Sequence, residues 1–464
     1  MKKTNKILLA AAITTALTAC GSDSNDDNNE VVENSYLRVY HASPDAPAVN
    51  VWLDGNEALK GVDYQQSSGM ITVPAGMHTV QVEAILPDGT TTTVIPATDL
   101  DLAANTEYNV VAAGKVSADG SDNTGFGPQI VTRDALMPEG ARVQVMHAAP
   151  DAPTVDVFIT APGEDLSMAT PFVDDAAYLA ATDAVEVPAG SYQIRITDKD
   201  DPTMVYFDSG TVEVPAGADW FAAATNNTMA GGSPVALLVD TGEGPLVVQD
   251  ANSGADIRVV HTISDAPGVD VWINGDAPAM DSPLYNLMYK DKTDYLSVPA
   301  ASYDFAVGVN GTDPVVVVDA LGLEGAELMA NYSYTAMAIG NLGDGMDNDE
   351  LFVVSDDTRR VATEAKLRAI HASTLAGEVD IYVSADATPS EDDVILENVP
   401  YKGDSTLLSV MPGEVYIMVT PADDMNTIAI GPAMLNLEGG SITTLVAVDD
   451  PDAATGVNVI SLDD

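Results

Sequence analysis

The chain has 464 residues, with 71 Asp or Glu against 18 Lys or Arg and a net charge of −53. So large a negative excess excludes nucleic acid, whose recognition relies on basic patches, and equally excludes docking onto anionic lipid headgroups. Two uses of the charge remain: solubility in a salty medium, or binding of divalent cations.

The first element is a targeting segment. Lys2, Lys3 and Lys6 precede an apolar run over residues 7–17, softened by Thr14 and Thr15. The run is too short to span a bilayer, which takes about 20 apolar residues, and suits a secretory signal. Leu17-Thr18-Ala19-Cys20 resembles the bacterial lipobox. That resemblance implies cleavage before Cys20 and acylation of its thiol and new amino group. Several chains at roughly 0.8 kcal/mol per buried CH₂ make a permanent anchor. Gly21, rather than Asp, follows the cysteine, which in similar lipoproteins favours the outer membrane. Residues 1–19 are therefore expected to be signal peptide, and residues 20–35 an acidic, disordered tether. Cys20 is the only cysteine, so no disulfide forms within the chain.

Four copies of one unit follow. Each opens with a short alternating segment that ends in His: His41, His147, His261 and His371, spaced by 106, 114 and 110 residues. Asp45-Ala46-Pro47, Asp151-Ala152-Pro153 and Asp265-Ala266-Pro267 come next, and Thr374-Leu375-Ala376-Gly377 takes their place in the fourth copy. A second alternating segment then carries an aromatic: Trp52, Phe158, Trp272 and Tyr382. Further on, turns such as Val73-Pro74-Ala75-Gly76 lead into new alternating segments. Tyr108, Trp220, Tyr334 and Thr443 each start a late strand. Period-two alternation marks half-buried strands, and a period near 100 residues marks a whole domain. The Tyr positions resemble the tyrosine corner of immunoglobulin-like sandwiches. The predicted fold is all-β: four tandem immunoglobulin-like β-sandwich domains over residues 36–138, 139–253, 254–363 and 364–464, arranged as a rod.

The opening Arg38-Val39-Tyr40-His41-Ala42-Ser43-Pro44-Asp45-Ala46-Pro47 and the run Val269-Asp270-Val271-Trp272 resemble the domain-of-unknown-function family numbered 4397. The family implies a sandwich fold and an envelope location. It brings no assigned active site.

The four marker histidines lie in phase with inward-facing apolar residues, so each is expected to pin the following loop. His78 takes a slot filled elsewhere by Tyr or Val and is read as packing. Arg38, Arg258 and Arg368 stand on the opposite strand face and are expected to pair across strands with Asp156, Asp270 or Asp380. Alternation also turns Trp52, Phe158, Trp272 and Tyr382 outward, as a surface on which a sugar ring or partner protein could stack. Oxygen-rich loops at Asp119 and Asp122, at Asp344, Asp347 and Asp349, and at Asp449, Asp450 and Asp452 could take Ca²⁺ as a cofactor, although none follows the EF-hand order.

No nucleophile elbow, zinc-protease helix, phosphate loop or dinucleotide fingerprint occurs. The leading expectation is a non-enzymatic, lipid-anchored envelope protein that displays its domains for structural or interaction roles. Alternatives are a carbohydrate- or matrix-binding adhesin, and a hydrolase with an unrecognised acidic site. The expected partners are the membrane, through the lipid alone, and a protein or polysaccharide. Periplasmic and surface-facing orientations are both open.

Overall fold

The protein is described by a computed structural model over residues 33–118, 124–311, 323–344 and 350–463. Cys20 and residues 21–32 of the expected tether lie outside the described residues, and the tether's last two residues, Asn34 and Ser35, already belong to the first strand. The first repeat has eight strands: β1 (Asn34–His41), β2 (Val49–Leu53), β3 (Asn56–Val62), β4 (Ile71–Pro74), β5 (Gly76–Ile85), β6 (Thr91–Leu102), β7 (Thr106–Ala113) and β8 (Gly127–Asp134). They form two sheets, ordered β4-β1-β7-β8 and β3-β2-β5-β6. Neighbours are antiparallel except β1 and β7, which run parallel in the middle of the first sheet. The architecture is that of a β-sandwich, as in immunoglobulin-like domains, with its own strand order.

The later repeats keep the plan. Ala141–His147 runs parallel to Asp219–Asn226, Ala255–His261 to Ser333–Ile339, and Ala365–His371 to Ile442–Asp449. Alternation explains the core of each sandwich. Leu37 and Val39 point from β1 between the sheets, where Val49, Val51, Leu59 and Val82 of the second sheet meet Val39, and Leu102 of the second sheet meets Leu37. Gly76, at φ +131°, turns the chain from β4 into β5, a conformation open to glycine. The Tyr108 hydroxyl accepts from the Ala103 amide at 2.9 Å, and Tyr334 takes the Met329 amide at 3.1 Å. These are tyrosine corners that fasten the start of a late strand to the turn before it.

The His-bearing sheets are buried on both faces, and this overturns the rod. Tyr40, Ala42, Val111 and Ala113 of repeat 1 pack against Met146, Ala148, Phe221, Ala223 and Leu238 of repeat 2. Val260, Met337, Ile339 and Val354 of repeat 3 pack in the same way against Ile370, Val446, Val448 and Leu462 of repeat 4. The chain is thus two face-to-face pairs, each a stack of four sheets. The repeats are joined this way because the outer face of each His-bearing sheet carries large apolar residues that a lone sandwich would leave in water.

The pairs are themselves joined. Arg359, in the link between repeats 3 and 4, reaches into repeat 1. Its guanidinium donates to Pro44 O at 3.0 Å, Ala46 O at 2.6 Å and Asp63 Oδ1 at 2.7 Å, and lies 4.9 Å over the Tyr64 ring. The Ala362 amide donates to Asp45 O at 2.8 Å.

Candidate functional site

The marker histidines occupy one geometry four times. Nε2 donates to the carbonyl six residues on: Pro47 at 3.0 Å, Pro153 at 3.0 Å, Pro267 at 3.3 Å and Gly377 at 2.9 Å. In repeats 2 to 4, Nδ1 accepts the amide two residues on, at 3.3 Å. One nitrogen donates and the other accepts, which is the neutral imidazole. Burial holds His41, His147 and His261 below the ordinary histidine range. A tyrosine stands edge-on to each ring at 6.1–6.4 Å: Tyr64, Tyr178, Tyr289 and Tyr401. Sequence reasoning missed these four. Their signal was a constant spacing of nine residues before Val73, Val187, Val298 and Val410. The Tyr64 hydroxyl donates to Asn226 O of repeat 2, and Tyr289 donates to Asp449 O of repeat 4, so the pairs are stitched where the histidines sit.

The loop aspartate joins that knot. Asp45 accepts the amides of Val116 and Ser117 at 2.8 and 2.9 Å, and Asp265 accepts those of Leu342 and Gly343 at 3.1 and 2.9 Å. Repeat 4, which lost the motif, reverses the bond: Asp449 accepts from Ser373, Thr374 and Leu375. His78 clamps a turn, donating from Nε2 to Pro74 O at 2.8 Å, with Asp54 on its other nitrogen. Tyr192 and Tyr303 reach the equivalent proline carbonyls.

The expected Arg–Asp pairs are not formed, because the two residue types lie in different sheets. Asn50, Asp156, Asp270 and Asp380 instead accept the amides of Gly61, Asp175, Asn286 and Asn398, all at positive φ. Each carboxylate or amide thereby holds an irregular neighbouring segment beside its strand. The arginines are buried between repeats. Arg38 lies 3.6 Å from Glu107 and 3.3 Å from Asp240; Arg133 bonds Glu107 at 2.7 Å and lies 3.2 Å from Asp219; Arg142 bonds Asp219 at 2.6 Å. In the second pair, Arg368 is shared by Asp356 and Asp404. Burial lowers the pKa of Arg368, but the bonds to Asp404 and the charge of Asp356 outweigh it and the net shift is upward.

The aromatic platform is corrected at two of its four positions, and Trp52 and Trp272 are half-buried. Phe158 and Tyr382 are only 2% and 4% exposed, and the indole nitrogens of Trp52 and Trp272 are buried. Around Phe158 the cause is visible. Its cross-strand neighbour Arg195 donates to Thr160 Oγ1 and Glu164 O, drawing the following loop over that face. The sequence shows which face a ring takes and not whether a loop covers it.

Of the acidic loops, Asp119, Asp122, Asp347 and Asp349 lie outside the described residues, and Asp344 ends a short 3-10 helix, Leu342–Asp344. Asp449 is consumed as described, and Asp450 bonds Lys290 and Asn458 at 2.8 Å each. Among the described residues, no three His, Cys, Asp or Glu side chains converge as metal ligands.

The model for the domain of unknown function DUF4397 matches residues 35–158, 141–247 and 255–382. The chain belongs to the DUF4397 family. The His, Asp and Asn or Asp positions that recur among this chain's own repeats are the loop pins and strand clamps described above. No curated protein matches the sequence. Among solved structures, a candidate cell adhesion protein of Bacteroides ovatus ATCC 8483 is similar at 11% identity and a TM-score of 0.15, over 46% of this chain and 96% of that one. The TIE protein of Bacillus anthracis is similar at 10% identity and a TM-score of 0.13, over 89% and 68%.

One open cavity lies where repeats 2, 3 and 4 meet. It is a cleft of about 610 Å³, bounded by Thr228, Asn331, Tyr332, Asp357, Arg368 and Asp404. The Tyr332 ring is 41% exposed, and Asn331 Oδ1 is buried there without a donor. Asp356, on the same wall, has its pKa raised by burial and accepts from Thr335, Tyr295 and Arg368. The volume is in the range of small-ligand sites. No helix among the described residues is long and apolar enough to cross a membrane.

Proposed function

We propose that this DUF4397 protein is a non-enzymatic, lipid-anchored component of the bacterial envelope that holds two rigid repeat pairs away from the membrane as an interaction scaffold. The observation carrying this reading is the fate of the recurring polar residues. Each marker His is bonded to a loop carbonyl, each Asn50-type residue to an amide, and the buried arginines to acids of a neighbouring repeat or their own. A signature held in this way builds architecture: its side chains fix loops and seams, with His41 Nδ1 the marker-ring nitrogen that takes no partner. The lipobox ending at Cys20 and the apolar-free segment over residues 21–30 supply anchor and spacer. Protease treatment of whole cells separates the orientations: digestion of the folded repeats on intact cells means display outside, and protection until the outer membrane is opened means a periplasmic scaffold. A soluble, unlipidated product recovered from wild-type cells would reject the anchored reading.

The cleft favours a second reading, recognition of an oligosaccharide. An exposed ring, a buried acceptor without a donor and flanking carboxylates are the groups that stack on and hydrogen-bond a sugar. Saturation-transfer NMR against soluble tetrasaccharides (chito-, cello- and laminari-) tests it. Binding that is lost in Tyr332→Ala and Asn331→Ala supports it; no transfer from any of the three rejects it.

A further inference from the structure

Fifteen of the seventeen methionines lie in described segments. Eleven of them are exposed, and they make up most of the eighteen exposed large apolar side chains. Methionine is ordinarily among the most buried residue types, so this is an inversion specific to the thioether. Valine, leucine and isoleucine, far more numerous here, supply only six of the eighteen: Ile130, Leu136, Val185, Val205, Leu246 and Leu375.

The exposed methionines are spread over all four repeats. Met70 and Met77 lie in repeat 1, Met168, Met204 and Met229 in repeat 2, Met280 and Met329 in repeat 3, and Met411 and Met434 in repeat 4. Met137, Met168 and Met280 are 90%, 91% and 82% exposed. Nor do the repeats share these slots: the place of Met77 after the turn is Ser191, Ser302 and Glu414 in the others. The repeat's packing therefore does not call for them. The three buried methionines are different. Met146 and Met337 lie in the two inter-repeat cores, and Met418 is wholly buried. With one cysteine, in the tether, the thioethers are the oxidisable sulfurs of the folded repeats.

We infer that the exposed methionines are a renewable sink for two-electron oxidants such as hydrogen peroxide. The sulfur lone pair attacks one peroxide oxygen, the O–O bond breaks, sulfur is oxidised by two electrons to the sulfoxide, and water leaves. Restoration requires a thiol-dependent methionine sulfoxide reductase, which returns the thioether with formation of one disulfide and one water. Exposure is what makes the sink harmless. A sulfoxide at Met137 or Met280 is already in water, whereas one at Met146 or Met337 would put a polar group between packed sheets.

The test uses the full chain with graded hydrogen peroxide, followed by peptide mass mapping and thermal unfolding. The exposed methionines should convert at least about tenfold faster than Met146, Met337 and Met418, at rates near that of N-acetylmethionine, with the melting temperature held within about 2 °C. The two reductases, one for each sulfoxide epimer, should restore the original mass. A variant carrying Met77→Leu, Met137→Leu, Met168→Leu and Met280→Leu should keep its melting temperature and consume about four fewer equivalents of peroxide, one per thioether removed. In peroxide-challenged cells, sulfoxide should appear in the protein and decline on recovery. The inference is overturned if buried and exposed sites oxidise together, if oxidation of the exposed set unfolds the protein, or if challenged cells yield the protein unoxidised.

Discussion

The rings of Tyr40 and Phe221, one from each of the first two repeats, meet at a centroid distance of 4.8 Å and an interplanar angle of 40°. Both side chains are wholly buried, so each repeat completes the other's second face. Phe221→Ala should cost about 3–5 kcal/mol, as large aromatic truncations in cores do. Urea unfolding of the full chain should show the loss, with the transition of the first pair shifted and that of the second pair unmoved.

Pairing also sets the smallest folding unit. As one whole domain of the repeat, residues 254–363 would be expected to fold alone. That fragment would leave Val260, Met337, Ile339 and Val354 in water, although all four are buried in the intact chain. Residues 254–464 should instead unfold cooperatively as a monomer, and residues 254–363 should self-associate or bind a hydrophobic dye. Sedimentation of the two fragments decides it: a compact, monomeric, dye-silent single repeat would count against the paired unit.

Glu107 is 1% exposed and depends on Arg133 and Arg38 for compensation. Arg133→Met should destabilise by about 3–5 kcal/mol, since it leaves buried carboxylate charge underpaired. Adding Glu107→Gln should recover part of that loss. A double-mutant cycle measures the coupling, and simple additivity of the two changes would disprove it.

The marker histidines give the protein an acid limit. Burial lowers the pKa of His41, His147 and His261 in the folded state, while an unfolded histidine titrates near 6.5. Above about pH 6.5 both states are neutral and the contribution to stability is complete. As the pH falls below that value, the unfolded chain takes up protons that the folded chain refuses, so stability is lost. Each unit of lowering is worth about 1.4 kcal/mol per site. Melting temperature should therefore drop between roughly pH 7 and pH 5, above the main carboxylate range, and less steeply in His261→Gln. A flat profile across that interval would falsify this assignment.

Cys20→Ser removes the thiol that the lipobox reading acylates. The variant should lose its membrane attachment and accumulate unprocessed or released, which metabolic palmitate labelling and fractionation report. Equal labelling of wild type and variant would place the attachment elsewhere.

Much of this was legible because it is local. Period-two alternation in Leu37, Val39 and His41 shows which side of the strand faces inward, and the His at its end must find partners there. The tyrosine corner at Tyr108 and the turn at Gly76 are short-range chemistry of the same kind. The second face was illegible for a physical reason. A strand buried on both sides ordinarily reads as continuously apolar, yet Arg38, Gln144, Asn109 and Thr335 are polar and buried. A buried polar residue with a partner and an exposed one without look the same in a sequence.

The sequence by itself determined the repeat, the sandwich and the His-pinned loop, since each depends on residues close together along the chain. Tertiary structure alone decided that Arg38 pairs with Asp240 two hundred residues away, that a loop screens Phe158, and that Arg359 ties the fourth repeat's entry to the first. Those outcomes turn on which surfaces meet, and burial acts between whatever faces the fold brings together, with no direction written into either one.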